Sequence, residues 1–99
     1  MKILILGSNG MLGPHVERVL QEDHQLLLTD VGKTYDGPNE YRQLDVADLE
    51  GVVSAAEGVD AIVNLSVVRP DRKVAFDVNS RGCYNMMEAA VRHGIPRVI

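Results

Sequence analysis

Three glycines near the start of the chain have the spacing of a phosphate-binding loop. Gly7, Gly10 and Gly13 follow a short apolar run and precede a helical pattern. Gly7 permits a tight turn, Gly10 leaves room for a phosphate beside the backbone, and Gly13 permits close packing of helix and strand. Free N–H groups near Met11 and Leu12 and the helix dipole would then bind a pyrophosphate. The alternative is a glycine-rich turn without a ligand.

An acidic residue, Asp30, follows Gly10 by about 20 positions and ends a second apolar run. A carboxylate there accepts hydrogen bonds from the hydroxyl groups of an adenosine ribose, and it repels the 2′-phosphate of NADP. The spacing therefore predicts NAD as the cofactor and disfavours NADP, although nearby Lys33 could reduce that preference. The alternative is that Asp30 only caps a loop.

The elements that must position these residues are strands and helices in alternation. Unbroken apolar runs predict strands at residues 2–6, 25–29 and 61–68, with a weaker strand at 41–44 and another at 97–99. Strands that alternate with helices indicate an α/β fold with a doubly wound parallel sheet of Rossmann type. Its ligand crevice lies at the carboxyl ends of the strands. Because the chain stops inside the predicted strand at 97–99, we expect residues 1–99 to form only the N-terminal part of such an NAD(P)-binding domain.

Apolar residues at helical spacing predict three helices between these strands. Pro14 suits the first turn of the first helix, which should stop near Glu22, and Gly58 and Gly94 end the other two. On the third helix Cys83 is expected to be a small buried side chain. The predicted buried faces are Leu12, Val16, Val19 and Leu20; Leu49, Val52, Val53 and Ala56; and Cys83, Met86, Met87, Ala90 and Val91, with Asn79 on the backward extension of the third.

Composition excludes several other classes of protein. Ten Lys and Arg oppose fourteen Asp and Glu, and no basic stripe exists, which argues against a nucleic-acid or anionic-membrane surface. One cysteine allows no intrachain disulfide, and the three histidines lack the spacing of metal ligands. No apolar run is long enough for a secretory signal or a membrane span, so the expected location is the cytoplasm.

Four stretches make the chain resemble the N-terminal part of the extended short-chain dehydrogenase/reductases, the NAD-dependent epimerase/dehydratase group. They are ILILGSNGMLG at 3–13, Asp30, Leu44 to Val46, and VNSRGCYNMMEAAVRHGIPRVI at 78–99. The last stretch is the most specific, because the N-x-x-G-x-x-N spacing of Asn79, Gly82 and Asn85 occurs together with the glycine loop. The resemblance implies the fold and cofactor that the spacing predicts.

The resemblance also implies further cofactor contacts. Asp45 would bond the exocyclic amine of adenine, and Val46 would pack on the adenine ring. Leu65, Ser66 and Val67 would line the nicotinamide ribose side.

A further implied role belongs to Asn79, which would support the hydrogen-bond network of the active site. A satisfied core amide without a ligand is an equally good interpretation of Asn79. Arg69 and Arg72 lie in a predicted loop after the fourth strand, where they could meet a phosphate or simply be solvated. A solvated loop is the preferred interpretation.

The family's catalytic groups are a Ser or Thr and a Tyr four positions before a Lys. No Tyr in the chain has that spacing, so we expect no catalytic residue here and no catalysis by these residues alone. The resemblance implies a parent oxidoreductase that acts on a nucleotide sugar or a similar hydroxylated small molecule. It also allows a homodimer in which the last helix takes part. The alternatives are a non-catalytic NAD(P)-binding sensor or regulatory module and a fragment with neither activity.

Overall fold

The computed structural model describes residues 1–68 and 71–99, so Arg69 lies outside the described residues. Strands and helices alternate as predicted. The elements are β1 (Lys2–Leu6), α1 (Gly13–Leu20), β2 (Gln25–Asp30), β3 (Glu40–Gln43), α2 (Leu49–Ala55), β4 (Ala61–Asn64), α3 (Arg72–Ala75), a π-helical turn (Phe76–Arg81), α4 (Gly82–His93) and β5 (Arg97–Val98).

The strands form one parallel sheet of five in the order β3-β2-β1-β4-β5. The first strand is central, and Ile3 pairs with Leu26 on one side and with Ala61 on the other. Because right-handed crossovers place successive helices on opposite sides when the strand order reverses, this order gives a doubly wound sheet. The predicted Rossmann-type α/β fold is confirmed.

Helices cover the two faces of the sheet unequally. On one face, α1 packs Val16 and Leu20 against alternate strand residues such as Ile5 and Leu28. On the other face, α2 and α4 cover the remaining strand residues. That larger core contains Leu4, Leu6, Leu27, Leu44, Val46, Val52, Ala55, Ala56, Val59, Ile62, Met86, Ala89, Ala90 and Ile95.

The buried faces of α1 and α4 differ from the predicted ones. Leu12 and Val19 are 63% and 66% exposed, and of the predicted face of α1 only Val16 and Leu20 pack against the sheet. On α4 the predicted face is rotated: Cys83 is exposed and is not a buried side chain. Met87 and Val91 are also exposed, whereas Gly82, Asn85, Met86, Ala89 and Ala90 are buried. Small residues occupy the packed face because α4 approaches its neighbours closely.

Several boundaries also differ from the predicted ones. The fourth strand ends at Asn64 and not at residue 68, and α1 ends at Leu20. Arg72 begins a helix and does not lie in a loop, because the Asp71 side chain accepts the Val74 N–H at 3.0 Å and caps it. Ile99 is 81% exposed, although its main chain still bonds to β4.

None of the helices in the described part of the chain combines the length and hydropathy needed to span a bilayer. Within the same residues, no cluster of three or more His, Cys, Asp and Glu side chains could hold a metal ion.

Candidate functional site

A cleft of about 840 Å³ opens at the carboxyl ends of the central strands. This volume falls in the range of roughly 300–1,000 Å³ that is usual for small-molecule sites. All the predicted cofactor residues line the cleft except Gly13 and Asn79. The lining consists of Gly7, Asn9, Gly10, Met11, Leu12, Asp30, Val31, Gly32, Leu44, Asp45, Val46, Leu65, Ser66, Val67, Val68 and Val78.

The three loop glycines have different structural reasons to be glycine. Gly7 has φ +77°, and a Cβ there would lie 2.6 Å from the main-chain nitrogen of Ser66. A Cβ on Gly13 would lie 1.7 Å from the main-chain oxygen of Ser8, so α1 could not begin where it does. At Gly10 the nearest atom to a Cβ would be the Gly7 oxygen at 3.4 Å, an ordinary contact. The fold itself therefore requires Gly7 and Gly13, whereas Gly10 leaves its space to the cleft.

Unpaired backbone donors lie beside Gly10. Within the described part of the chain, no protein acceptor completes a hydrogen bond with the N–H groups of Met11 and Leu12. Leu12 is the N-cap of α1 without a side-chain cap, and Pro14 follows in the first turn. Free N–H groups at a helix N-terminus attract anions, and the helix dipole adds to that attraction. This end of the cleft suits a pyrophosphate.

Asp30 links the end of β2 to the glycine loop. One carboxylate oxygen accepts the Asn9 N–H at 2.8 Å, and the other accepts the Val31 N–H at 2.7 Å. A carboxylate oxygen has two lone pairs, so each oxygen retains acceptor capacity beyond these bonds. The half-buried side chain lines the cleft, where a ribose diol would find a prepared acceptor.

The turn after Asp30 is held by side chains from β3, which the sequence did not indicate as site residues. The Tyr41 hydroxyl donates a hydrogen bond to the Gly32 main-chain oxygen and accepts one from the Asn9 side-chain amide at 3.3 Å. The Gln43 amide donates to the Val31 main-chain oxygen at 2.9 Å. Burial, and next the negative charge of Asp30, raise the pKa of Tyr41.

Asp45 and Val46 follow β3 and line the cleft near Asp30, whose carbonyl accepts the Leu44 N–H at 2.8 Å. Asp45 is exposed, and its carboxylate accepts the Ala47 N–H at 2.9 Å. Val46 is buried, and the Asn85 side-chain amide donates to its carbonyl at 2.8 Å. A Cβ on Gly82 would lie only 2.7 Å from Val46 Cγ2, so α4 needs a glycine at this contact. The apolar wall formed by Val46 is thus positioned by α4.

Leu65, Ser66 and Val67 form the wall beyond β4. The Leu65 N–H bonds the Leu6 carbonyl at 2.8 Å, and the Ser66 N–H bonds the Asn64 side chain at 2.9 Å. The Ser66 hydroxyl is shielded from solvent and has no hydrogen-bond partner among the described residues. Since buried polar groups are normally paired, this unpaired hydroxyl in the lining is consistent with a site for a polar ligand.

Asn79 is exposed and does not face the core as predicted. Its side chain accepts the Val68 N–H at 3.1 Å and donates to the Val68 carbonyl at 2.8 Å. The asparagine lies in the π-helical turn, and its neighbour Val78 lines the cleft in its place. Asn79 therefore holds the segment after β4 from outside the cleft.

The N-x-x-G-x-x-N spacing thus has a structural explanation. Asn79 holds the segment after β4, while Gly82 and Asn85 hold the segment after β3. Both segments line the cleft. The sequence indicated no role for Asn85 beyond this spacing, and it did not indicate Asn9 or Tyr41 as residues of the site. Asn85 lies off the face that the apolar residues predict as buried, so the N-x-x-G-x-x-N spacing was its one signal in the sequence.

The strand order and the position of the cleft define a Rossmann-type α/β protein. More narrowly, the chain belongs to the NAD-dependent epimerase/dehydratase family, whose sequence model matches residues 3–99.

Similar proteins include uronate dehydrogenase of Pseudomonas syringae pv. tomato, 33% identical over 105 residues that cover 99% of this chain and 38% of that protein. GDP-mannose 3,5-epimerase 1 of Oryza sativa subsp. japonica is 26% identical over 110 residues, which cover 98% of this chain and 29% of that protein. A mutant uronate dehydrogenase from Agrobacterium tumefaciens, solved in complex with NAD, superposes with a TM-score of 0.83 and 34% identity. That match covers 98% of this chain and 38% of the solved chain. The chain therefore spans well under half the length of these relatives.

Proposed function

We propose that residues 1–99 are the dinucleotide-binding part of an NAD-dependent oxidoreductase and that the cleft binds NAD in preference to NADP. The observation that carries this proposal is the position of Asp30, whose carboxylate lines the cleft and bonds the glycine loop through Asn9. Membership of an NAD-dependent family and the NAD complex of a similar enzyme support the choice of cofactor.

Each wall of the cleft would hold one part of the dinucleotide. The N–H groups of Met11 and Leu12 would bind the pyrophosphate, and Asp30 would accept the adenosine ribose hydroxyls. The side chain of Asp45 would receive the adenine amine beside the apolar wall of Val46.

The nicotinamide ribose would lie along Leu65, Ser66 and Val67, with the Ser66 hydroxyl free to bond it. NAD supplies a hydride acceptor when it is bound. The described residues bind and orient the cofactor, and we assign no catalytic residue among them.

For the substrate we propose a hydroxylated sugar, and we infer that a sugar acid of the uronate type is the first candidate. Uronate dehydrogenases are among the similar proteins in both sequence and structure. The family also supports the broader class of nucleotide sugars, since GDP-mannose 3,5-epimerase 1 is another relative. None of the relatives reported above favours the alternative of a non-catalytic sensor.

Two further expectations remain predictions. The outward face of the helical segment from the π-turn through α4 carries exposed Phe76, Tyr84, Met87 and Val91, which would suit a homodimer contact. The cytoplasm remains the predicted location.

The direct test is calorimetric titration of the intact protein with NAD and with NADP. It is followed by assay of NADH formation with uronates and of altered sugar product with nucleotide sugars, because an epimerase or dehydratase returns the hydride and releases no NADH. We expect NAD to bind more tightly than NADP. Equal affinities, or tighter binding of NADP, would contradict the cofactor assignment. Binding of NAD with no turnover of any sugar would contradict the assignment to an oxidoreductase of sugars.

A further inference from the structure

The Tyr41 hydroxyl joins three separate segments beside the cleft. It donates a hydrogen bond to the Gly32 carbonyl, and the Asp30 carbonyl lies 3.2 Å away as a second acceptor for the same proton. The hydroxyl oxygen accepts a hydrogen bond from the Asn9 side-chain amide at 3.3 Å. Asn9 belongs to the glycine loop, Asp30 ends β2, Gly32 lies in the turn that follows, and Tyr41 belongs to β3. One hydroxyl therefore fixes these segments relative to one another.

The turn from Asp30 to Gly32 follows the carboxylate that would receive the ribose. Each carbonyl of this turn accepts a hydrogen bond from the protein. The Asp30 carbonyl accepts the Leu44 N–H at 2.8 Å. The Val31 carbonyl accepts the Gln43 side-chain amide, and the Gly32 carbonyl accepts the Tyr41 hydroxyl. The C=O and N–H of a trans peptide point in opposite directions. Holding the Gly32 carbonyl therefore also fixes the direction of the next N–H, which belongs to Lys33.

Gly32 is the residue where this turn could most easily change. Glycine rotates about its backbone bonds with little steric cost. A rotated peptide after Gly32 would redirect the Lys33 N–H, and successive N–H groups in a turn can form a concave anion site. Such a site beside the ribose would suit a 2′-phosphate. The hydrogen bond from Tyr41 opposes that rotation.

We propose that the Tyr41 hydroxyl is a positioning group for cofactor selectivity, which holds the turn after Asp30 in the conformation that accepts a ribose diol and disfavours a 2′-phosphate. The proposal rests on the proposed function, since it requires a dinucleotide in the cleft. Tyr41 acts through Gly32 and Asn9 and does not itself contact the cofactor.

The chain contains a matched control for the loss of this hydroxyl. The Tyr35 and Tyr41 rings are stacked, with centroids 5.5 Å apart. The Tyr35 hydroxyl, however, bonds Glu17 on α1 and accepts the Asn39 N–H, and it makes no bond to the turn. Tyr35→Phe and Tyr41→Phe thus remove the same group from neighbouring rings, but only the second releases Gly32.

The first measurement is the dissociation constant of NAD and of NADP for the intact wild-type protein and both variants, by calorimetry. We expect Tyr41→Phe to reduce the ratio of the two affinities by about three- to tenfold, as expected for the loss of one hydrogen bond. Tyr35→Phe should leave that ratio within about twofold of the wild-type value.

A second measurement needs no cofactor. Amide hydrogen exchange at Asn9, whose N–H bonds the Asp30 carboxylate, should become faster in Tyr41→Phe and stay unchanged in Tyr35→Phe. Gly32→Ala serves as a rescue variant, because alanine has less backbone freedom than glycine and should restrict rotation of the turn. Its Cβ would lie 3.3 Å from the Asn9 side-chain nitrogen, which is the movable end of a side chain. We expect Gly32→Ala to restore the affinity ratio in the Tyr41→Phe background.

The outcomes separate this inference from the proposed function. If the wild-type protein prefers NAD and Tyr41→Phe keeps both that ratio and the exchange rates, the positioning role is overturned and the proposed function stands. If Tyr35→Phe lowers the ratio equally, the effect belongs to the stacked rings and the role of the Tyr41 hydroxyl is again overturned. If the wild-type protein binds neither dinucleotide, the proposed function fails and this inference fails with it.

Discussion

The main-chain N–H of Asn9 donates a 2.8 Å hydrogen bond to the carboxylate of Asp30. This bond joins the loop that would receive the phosphates to the residue that would receive the ribose. The two halves of the predicted site are therefore coupled through one carboxylate, and a change at Asp30 should affect both.

Replacing Asp30 tests the cofactor preference directly. Asp30→Asn removes the negative charge and turns an N–H₂ toward a backbone donor, so we expect NAD to bind about tenfold more weakly and NADP to lose less. Calorimetric titration with both dinucleotides measures this. Asp36→Asn is the control, since Asp36 is an exposed carboxylate in the β2–β3 loop. Equal losses for NAD and NADP would show that Asp30 does not select between them.

The glycine loop allows folding and binding to be separated. Gly10→Val should leave the thermal transition nearly unchanged, because a Cβ there makes only an ordinary contact, and it should abolish NAD binding. Gly13→Ala should instead lower stability by several kcal/mol or prevent folding, because its Cβ would overlap the Ser8 carbonyl. Calorimetric melting and NAD titration of both variants check this. Unchanged NAD affinity in Gly10→Val would mean that this loop does not hold the phosphates.

The buried amide of Asn85 should contribute to stability through Val46. Asn85→Leu has a similar volume but leaves the Val46 carbonyl without its donor, and we expect a loss of about 1–3 kcal/mol in the free energy of unfolding. Denaturant unfolding at neutral pH measures the loss. Cys83→Ser on the exposed side of the same helix should change stability by less than about 0.5 kcal/mol. Similar values for the two variants would contradict the burial pattern of α4.

The two stacked tyrosines should make stability fall at high pH. Burial, and next the hydrogen bond to Glu17, raise the pKa of Tyr35, while burial, and next the charge of Asp30, raise that of Tyr41. The folded state therefore holds these protons more tightly than the unfolded chain. Their contribution is fully present below about pH 10, the usual tyrosine pKa, and is lost as pH rises through the raised values.

Denaturant unfolding of the wild type and of both Tyr→Phe variants, between about pH 8 and pH 11, isolates this contribution from that of the lysines. We expect the wild type to lose more stability than either variant over that range. Parallel pH profiles for the three proteins would mean that the phenol groups of Tyr35 and Tyr41 do not contribute.

The periodicity of the sequence was sufficient for the element order and the parallel sheet, because buried parallel strands are apolar on both faces. It failed on α4, where Cys83, Met87 and Val91 have the helical spacing of a core face but are exposed. The close contact between Gly82 and Val46 fixes the rotation of α4, and in that rotation Cys83, Met87 and Val91 lie on the outer side.

In the site, the spacing of the glycines and the ends of the predicted strands were sufficient to predict most of the residues that line the cleft. The residues that hold these segments could not. Asn9, Tyr41 and Asn85 act through hydrogen bonds to residues 9 to 39 positions away in the sequence. Such pairs follow from the three-dimensional packing and leave no periodic pattern in the sequence.

The central position of β1 has a consequence for how the chain reaches its fold. Ile3 cannot complete its pairing until the strand that contains Ala61 has been synthesised, because that strand forms its second neighbour. Pairings between residues so far apart in sequence close large loops and are slow to form. During synthesis one edge of β1 therefore remains unpaired until β4 has been made, and an unpaired apolar strand edge is exposed to aggregation during that time.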